Sequence, residues 1–142
     1  MLGIRHALAT AAGVLLLAGT AYAEPFSLTS PAFKDGGMRA IKNAGANKAN
    51  PNCVGENISP PLAWTNVPEG TKSFALLMTD PEGQAGLGSV HWVAYSIPAS
   101  VTSFAEGEVS KPSDKYVGGK GSAGQAFYVG RRTRPCTIIL SL

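Results

Sequence analysis

The chain has 142 residues and a formal net charge of +3, a length that fits one domain. That charge sits at the two ends: without Arg5, Arg131, Arg132 and Arg134, eight basic residues face nine acidic ones, which leaves the body at −1. No basic stripe or basic–aromatic interleaving appears, so a nucleic-acid partner is excluded.

Residues 1–23 read as a secretory signal peptide. Arg5 and His6 give a charged start, Ala7 to Thr20 is almost wholly apolar, and Ala21-Tyr22-Ala23 supplies the small residues of a cleavage site. The apolar run is short for a membrane span, which needs about 20 residues. The mature chain is therefore expected to begin after Ala23, to lack a transmembrane segment, and to be periplasmic or secreted.

Fourteen of the chain's seventeen glycines and all ten prolines punctuate the rest, and no long window keeps apolar residues at helical spacing. Phe26 to Thr29 alternates as a strand does. Asn43 to Asn52, rich in Asn, Ala, Gly and Lys, reads as a loop. Ser73 to Thr79 is a continuous apolar run between Glu69-Gly70 and Asp80-Pro81, and His91 to Ile97 is another that ends at Pro98. Runs of this length predict strands buried on both faces. Gly83 to Gly88 reads as the loop joining them. Lys111 to Gly124, with four glycines and three lysines, reads as an irregular surface segment. Short strands separated by Gly and Pro predict an all-β chain with minor helix, folded as a β-sandwich.

Two groups stand out for chemistry. Asp80 closes one apolar run and His91 opens the next; taken singly, the first is an Asp-Pro turn residue and the second a packed histidine. The loop between them is short enough to bring both to one end of a sheet. There a carboxylate would raise the histidine pKa and favour the charged ring that binds anions. Support for catalysis is weaker. No Gly-x-Ser-x-Gly elbow, His-Glu-x-x-His or Cys-x-x-Cys spacing occurs. Gly118-Gly119-Lys120-Gly121-Ser122 has the composition of a phosphate loop without Walker spacing and reads as a flexible loop. Neither a cofactor nor a metal is expected, and the chain is not expected to be an enzyme.

Four stretches carry a resemblance: Phe26 to Phe33; Cys53 to Trp64, with Asn57-Ile58-Ser59-Pro60-Pro61-Leu62-Ala63-Trp64; Phe74 to Glu82, with Asp80-Pro81-Glu82; and Val90-His91-Trp92-Val93. Together they resemble the phosphatidylethanolamine-binding protein family in its bacterial Raf-kinase-inhibitor-like branch. The resemblance covers Phe26 to Gly130 and implies a β-sandwich with a small anion pocket near one surface. Carried over, Asp80 and His91 line that pocket, Glu82 takes the place of its second acidic residue, and Pro81 stiffens the rim. Tyr128 resembles the tyrosine before the family's Gly-Pro segment. The implied ligand is a small anion or phosphate-bearing headgroup. The alternatives are a protein-interaction module inhibiting a protease or kinase, and a non-functional product.

From Arg131 the resemblance stops. The family continues with a proline-rich loop and a His-Arg-Tyr or His-His-Tyr triplet opening a central strand. The tail here is expected to be aberrant, the product of a reading-frame shift. Codons for Cys136-Thr137-Ile138-Ile139, read one base earlier, permit His-His-Tyr, and one back-translation of the whole tail gives Pro-Ala-His-Pro-Ala-Met-His-His-Tyr-Thr-Phe-Thr. The other reading is a divergent native tail. The expected domains are thus residues 1–23, an incomplete C-terminally truncated domain over 24–130, and the tail 131–142. Ile138-Ile139-Leu140 is apolar enough to pair as a substitute strand, but without the family's own strand the monomer is expected to be marginally stable. Exported cysteines can pair. Because Cys136 lies in that tail, Cys53 is expected to be a free thiol.

Overall fold

A computed structural model describes residues 24–49 and 54–130, together with the backbone of 137–141. The signal-peptide reading, Cys53, Cys136 and the arginine-rich part of the tail lie outside the described residues.

Among the described residues, seven strands form two open antiparallel sheets. One orders β1 (Ser27–Thr29), β2 (Leu62–Thr65) and β5 (Ser103–Phe104) with β2 in the middle. The other orders β6 (Val117–Gly119), β4 (Ser89–Pro98), β3 (Ser73–Asp80) and β7 (Thr137–Ser141). Among the described residues a 3-10 turn, Ile41–Asn43, leads into the expected loop that begins at Asn43. The expected all-β class with minor helix is what the structure has.

The two sheets share one core. Leu62 and Trp64 of β2 and Phe104 of β5 meet Phe74, Leu76 and Met78 of β3 and Trp92, Ala94 and Ile97 of β4, with Val109, Tyr116 and Tyr128 closing the ends. A series of rings runs through it. Trp64 meets Phe74 edge-on and lies 5.6 Å from Phe104; Trp92 packs edge-on to Phe104 and to Tyr116 at 5.4 and 5.2 Å. Edge-to-face rings of this kind add to the stabilisation from area burial alone. Burial pushes the Tyr116 hydroxyl pKa up, because leaving water disfavours the phenolate.

β3 and β4 are buried on one face, not two. Phe74, Leu76, Met78 and Asp80 alternate inward, while Ser73 and Ala75 are exposed and Leu77 and Thr79 are half-buried. Burial on both faces needs a layer on each side, and among the described residues the core lies on one side only. The long apolar runs identified the strands correctly but overstated their burial.

The Gly118-Gly119 stretch is likewise not an irregular loop. It is part of β6, with Gly118 opposite Ala94 and Gly119 opposite Val93. A Cβ on Gly118 would collide with the Ala126 carbonyl oxygen, so glycine is what lets the returning chain lie this close. At the other edge, β7 pairs with β3, placing Ile138 opposite Met78 and Leu140 opposite Leu76.

Candidate functional site

β3 and β4 are antiparallel neighbours joined by the loop after Asp80, so the end of one strand lies beside the start of the other. Asp80 pairs with Ser89, Thr79 with Val90, and Met78 with Trp92. Between the last two pairs the register slips, and His91 is the extra residue on β4. Such a bulge rotates the strand locally. It explains why His91 and Trp92, neighbours in sequence, are both buried: each is 2% exposed or less. Asp80, Ser89 and His91 therefore lie on the buried face at one end of this sheet.

The Asp80 and His91 side chains are each positioned by backbone. Asp80 Oδ1 accepts the Glu82 amide at 3.0 Å, an Asx-type turn that aligns the carboxylate at the strand end. His91 Nδ1 lies 2.8 Å from the Val129 carbonyl oxygen. A carbonyl only accepts, so Nδ1 carries the proton. In the neutral ring Nε2 is then an acceptor, and only the protonated ring presents an N–H there. The Val129 amide in turn donates to the His91 carbonyl at 3.1 Å, locking the 128–130 segment across the histidine.

That segment is held from below by Arg39 and Asn43, which the sequence did not single out, and by Asn57 of the Pro-Pro motif. The Tyr128 side chain is fully buried; its hydroxyl donates to the Asn43 carbonyl at 2.6 Å and accepts from Arg39 Nη1 at 2.9 Å. Asn57, at φ 57°, accepts the Gly130 amide on its Oδ1 at 2.8 Å, and Asn43 Nδ2 donates to the Ile58 carbonyl at 2.7 Å. Asparagine tolerates the left-handed region better than most residues, which is a physical reason for Asn57 at the head of its Pro-Pro motif. Arg39 and Asn43 carry no local signal, because their partners are distant in sequence.

The expected site residues thus divide. Asp80 and His91 come together on the buried face. Tyr128 lies on the strap over His91 with its hydroxyl turned to Asn43 and Arg39. Pro81 and Glu82 are exposed at the start of the connecting loop. Ser89, the register partner of Asp80, is a third polar residue on the buried face, which sequence reasoning passed over as a loop serine. Separately, a cavity of about 620 Å³ lies beside β1, lined by Leu28, Phe33, Lys34, Asp35 and Leu62 among others, away from these residues. Among the described residues no group of His, Cys, Asp or Glu could hold a metal ion, and no helix is long and apolar enough to cross a membrane.

Comparison with known proteins agrees with this architecture. The family model for phosphatidylethanolamine-binding protein matches residues 29–137. YbcL of Escherichia coli (strain K12) is 41% identical over 83 residues, which cover 58% of this chain and 44% of that protein. LppC of Mycobacterium tuberculosis, a candidate lipoprotein by its name, is 35% identical over 86 residues, covering 61% of this chain and 38% of LppC. The chain spans roughly a third to a half of the curated relatives it matches. Among solved structures, that of YbcL, described as a member of the mammalian PEBP family, superposes with a TM-score of 0.64 at 34% identity, covering 78% of this chain and 67% of YbcL. The homologue CT736 of Chlamydia trachomatis gives a TM-score of 0.60 at 26% identity, covering 81% of this chain and 71% of CT736. With more than half of its length matched by the family model and its strands superposing on these structures, the chain belongs to the phosphatidylethanolamine-binding protein family, in its bacterial form.

Proposed function

We propose that this family binding protein takes a small oxyanion, free or as a phosphate-bearing headgroup, at the Asp80–His91 end of its larger sheet, without catalysing a reaction. The observation that carries the reading is the His91–Val129 bond. It assigns the proton to Nδ1, so the ring offers Nε2 as a donor to an anion only when protonated. Asp80 lies on the same face and would favour that protonated state. It would also receive a donor group of the ligand, such as an ammonium. The similarity to LppC and the leader-like residues 1–23 support export to a periplasm or beyond. Inhibition of a protease or kinase partner, as the Raf-kinase-inhibitor-like resemblance implies, would use the exposed rim at Pro81 and Glu82.

Calorimetry with sulfate tests the pocket, because sulfate keeps its charge across the range in which histidine titrates. Affinity should fall as pH rises through the ordinary histidine range and be lost in His91→Ala. Equal binding by the wild type and His91→Ala, or a flat pH profile, refutes the reading. Phosphoethanolamine, compared with inorganic phosphate, reads the contribution of Asp80: the amine-bearing ligand should lose its advantage in Asp80→Asn.

A further inference from the structure

Ser89 is 2% exposed, and its hydroxyl oxygen is buried with no hydrogen-bond partner among the described residues. A buried hydroxyl left unsatisfied is costly, and native proteins retain few of them. This one lies opposite Asp80 in the strand register and on the buried face that also holds His91. It is covered by the connecting loop, since a Cβ on Gly83 would collide with the Ser89 side chain.

The covering loop is itself strained. Gln84 and Ala85 adopt successive left-handed conformations, at φ 51° and 58°, between Gly83 and Gly86. Non-glycine residues in this region carry a backbone penalty, and two in succession are unusual. The loop's backbone bonds, Leu87 N–H to Gln84 O and Gly88 N–H to Gly83 O, are internal, and the Leu87 side chain is 88% exposed. The loop can therefore lift as a unit without breaking its own hydrogen bonds.

We propose that the Ser89 hydroxyl is a third ligand-contacting group of this site, kept beneath the Gly83–Gly88 loop and donated to an oxygen of the bound oxyanion when the loop lifts. The proposal rests on the anion-site reading above. In the unliganded chain no described residue bonds the hydroxyl; in the complex the hydroxyl gains an acceptor. Ser89 supplies a donor whose protonation does not depend on pH, next to a histidine whose donor does.

The test is Ser89→Ala in the full chain, measured by sulfate calorimetry and by thermal melting without ligand. Removing an unsatisfied hydroxyl should leave the melting temperature unchanged or raise it. Sulfate affinity should fall roughly ten- to a hundredfold, the worth of one hydrogen bond to a charged group. These opposite signs separate a ligand role from a structural one. A lower melting temperature, with or without weaker binding, overturns the proposal, because the hydroxyl would then be satisfied within the unliganded protein. Wild-type affinity in Ser89→Ala overturns it while leaving the anion-site reading intact; absence of sulfate binding by the wild type overturns both. In a titration followed by amide chemical shifts, Gly83, Gly88 and Ser89 should move together. Binding that leaves these three unmoved refutes the lifting of the loop.

Discussion

The strap over His91 depends on one hydroxyl, and Tyr128→Phe removes it with little change in shape. Tyr128 is fully buried, Asn43 is equally inaccessible, and Arg39 is 4% exposed, so water cannot replace what is lost. The substitution deprives the Asn43 carbonyl of a 2.6 Å donor and Arg39 Nη1 of a 2.9 Å acceptor. The neutral bond is worth about 1 kcal/mol and the bond from a charged group about 1.5–3 kcal/mol, together roughly 2.5–4 kcal/mol. Against a total stability of about 5–15 kcal/mol this is a large fraction. In urea the midpoint should fall by roughly 1–2 M at constant slope, for a typical slope of about 2 kcal/mol per M. Arg39→Met should be destabilising too, and the double variant should cost about 1–3 kcal/mol less than the sum, because the two groups share one interaction. A cost below about 0.5 kcal/mol for Tyr128→Phe, the scale of an ordinary surface change, would refute the reasoning. Strict additivity of the two substitutions would refute the coupling.

Two further outcomes follow from the geometry. Gly118→Ala puts a methyl group against the Ala126 carbonyl oxygen at the β6 edge; overpacking against backbone should cost at least about 2 kcal/mol, read as a lower melting temperature, and a neutral effect would show that the returning chain does not lie where the structure has it. Burial pushes the Glu108 carboxyl up, but the Lys115 ammonium and the Ala105 amide outweigh it and hold the group below its ordinary value. A depressed carboxylate contributes stability that is present above its unfolded value and lost as pH falls through its folded value. Glu108→Gln should therefore be destabilising near neutrality and indistinguishable from the wild type in strong acid, a modest effect at a partly exposed ion pair; the same difference at both extremes would exclude the assignment.

Local patterns in the chain were enough to place β3, β4 and the joining loop. Apolar runs bounded by Gly-, Pro- and Asp-containing turns report backbone conformation directly, because those signals act over a few residues. The same reasoning brought Asp80 and His91 to one end of a sheet, since a short connection between antiparallel strands leaves little choice. The motifs around Asn57, Asp80 and His91 also led to the family, which comparison with known proteins bears out. Only the tertiary structure decided the rest. The register slip that turns both His91 and Trp92 inward depends on how β3 and β4 pair, not on either strand alone. The Arg39–Tyr128–Asn43 contacts join residues 85 or more positions apart, beyond any periodicity. Gly118 and Gly119 read locally as chain breakers, yet they form an edge strand because a second segment passes too close for any side chain. Ser89 looks like a turn residue until its register partner Asp80 and its cover at Gly83 are seen. Sequence patterns specify conformation along the chain; which polar groups are buried together is set by long-range packing.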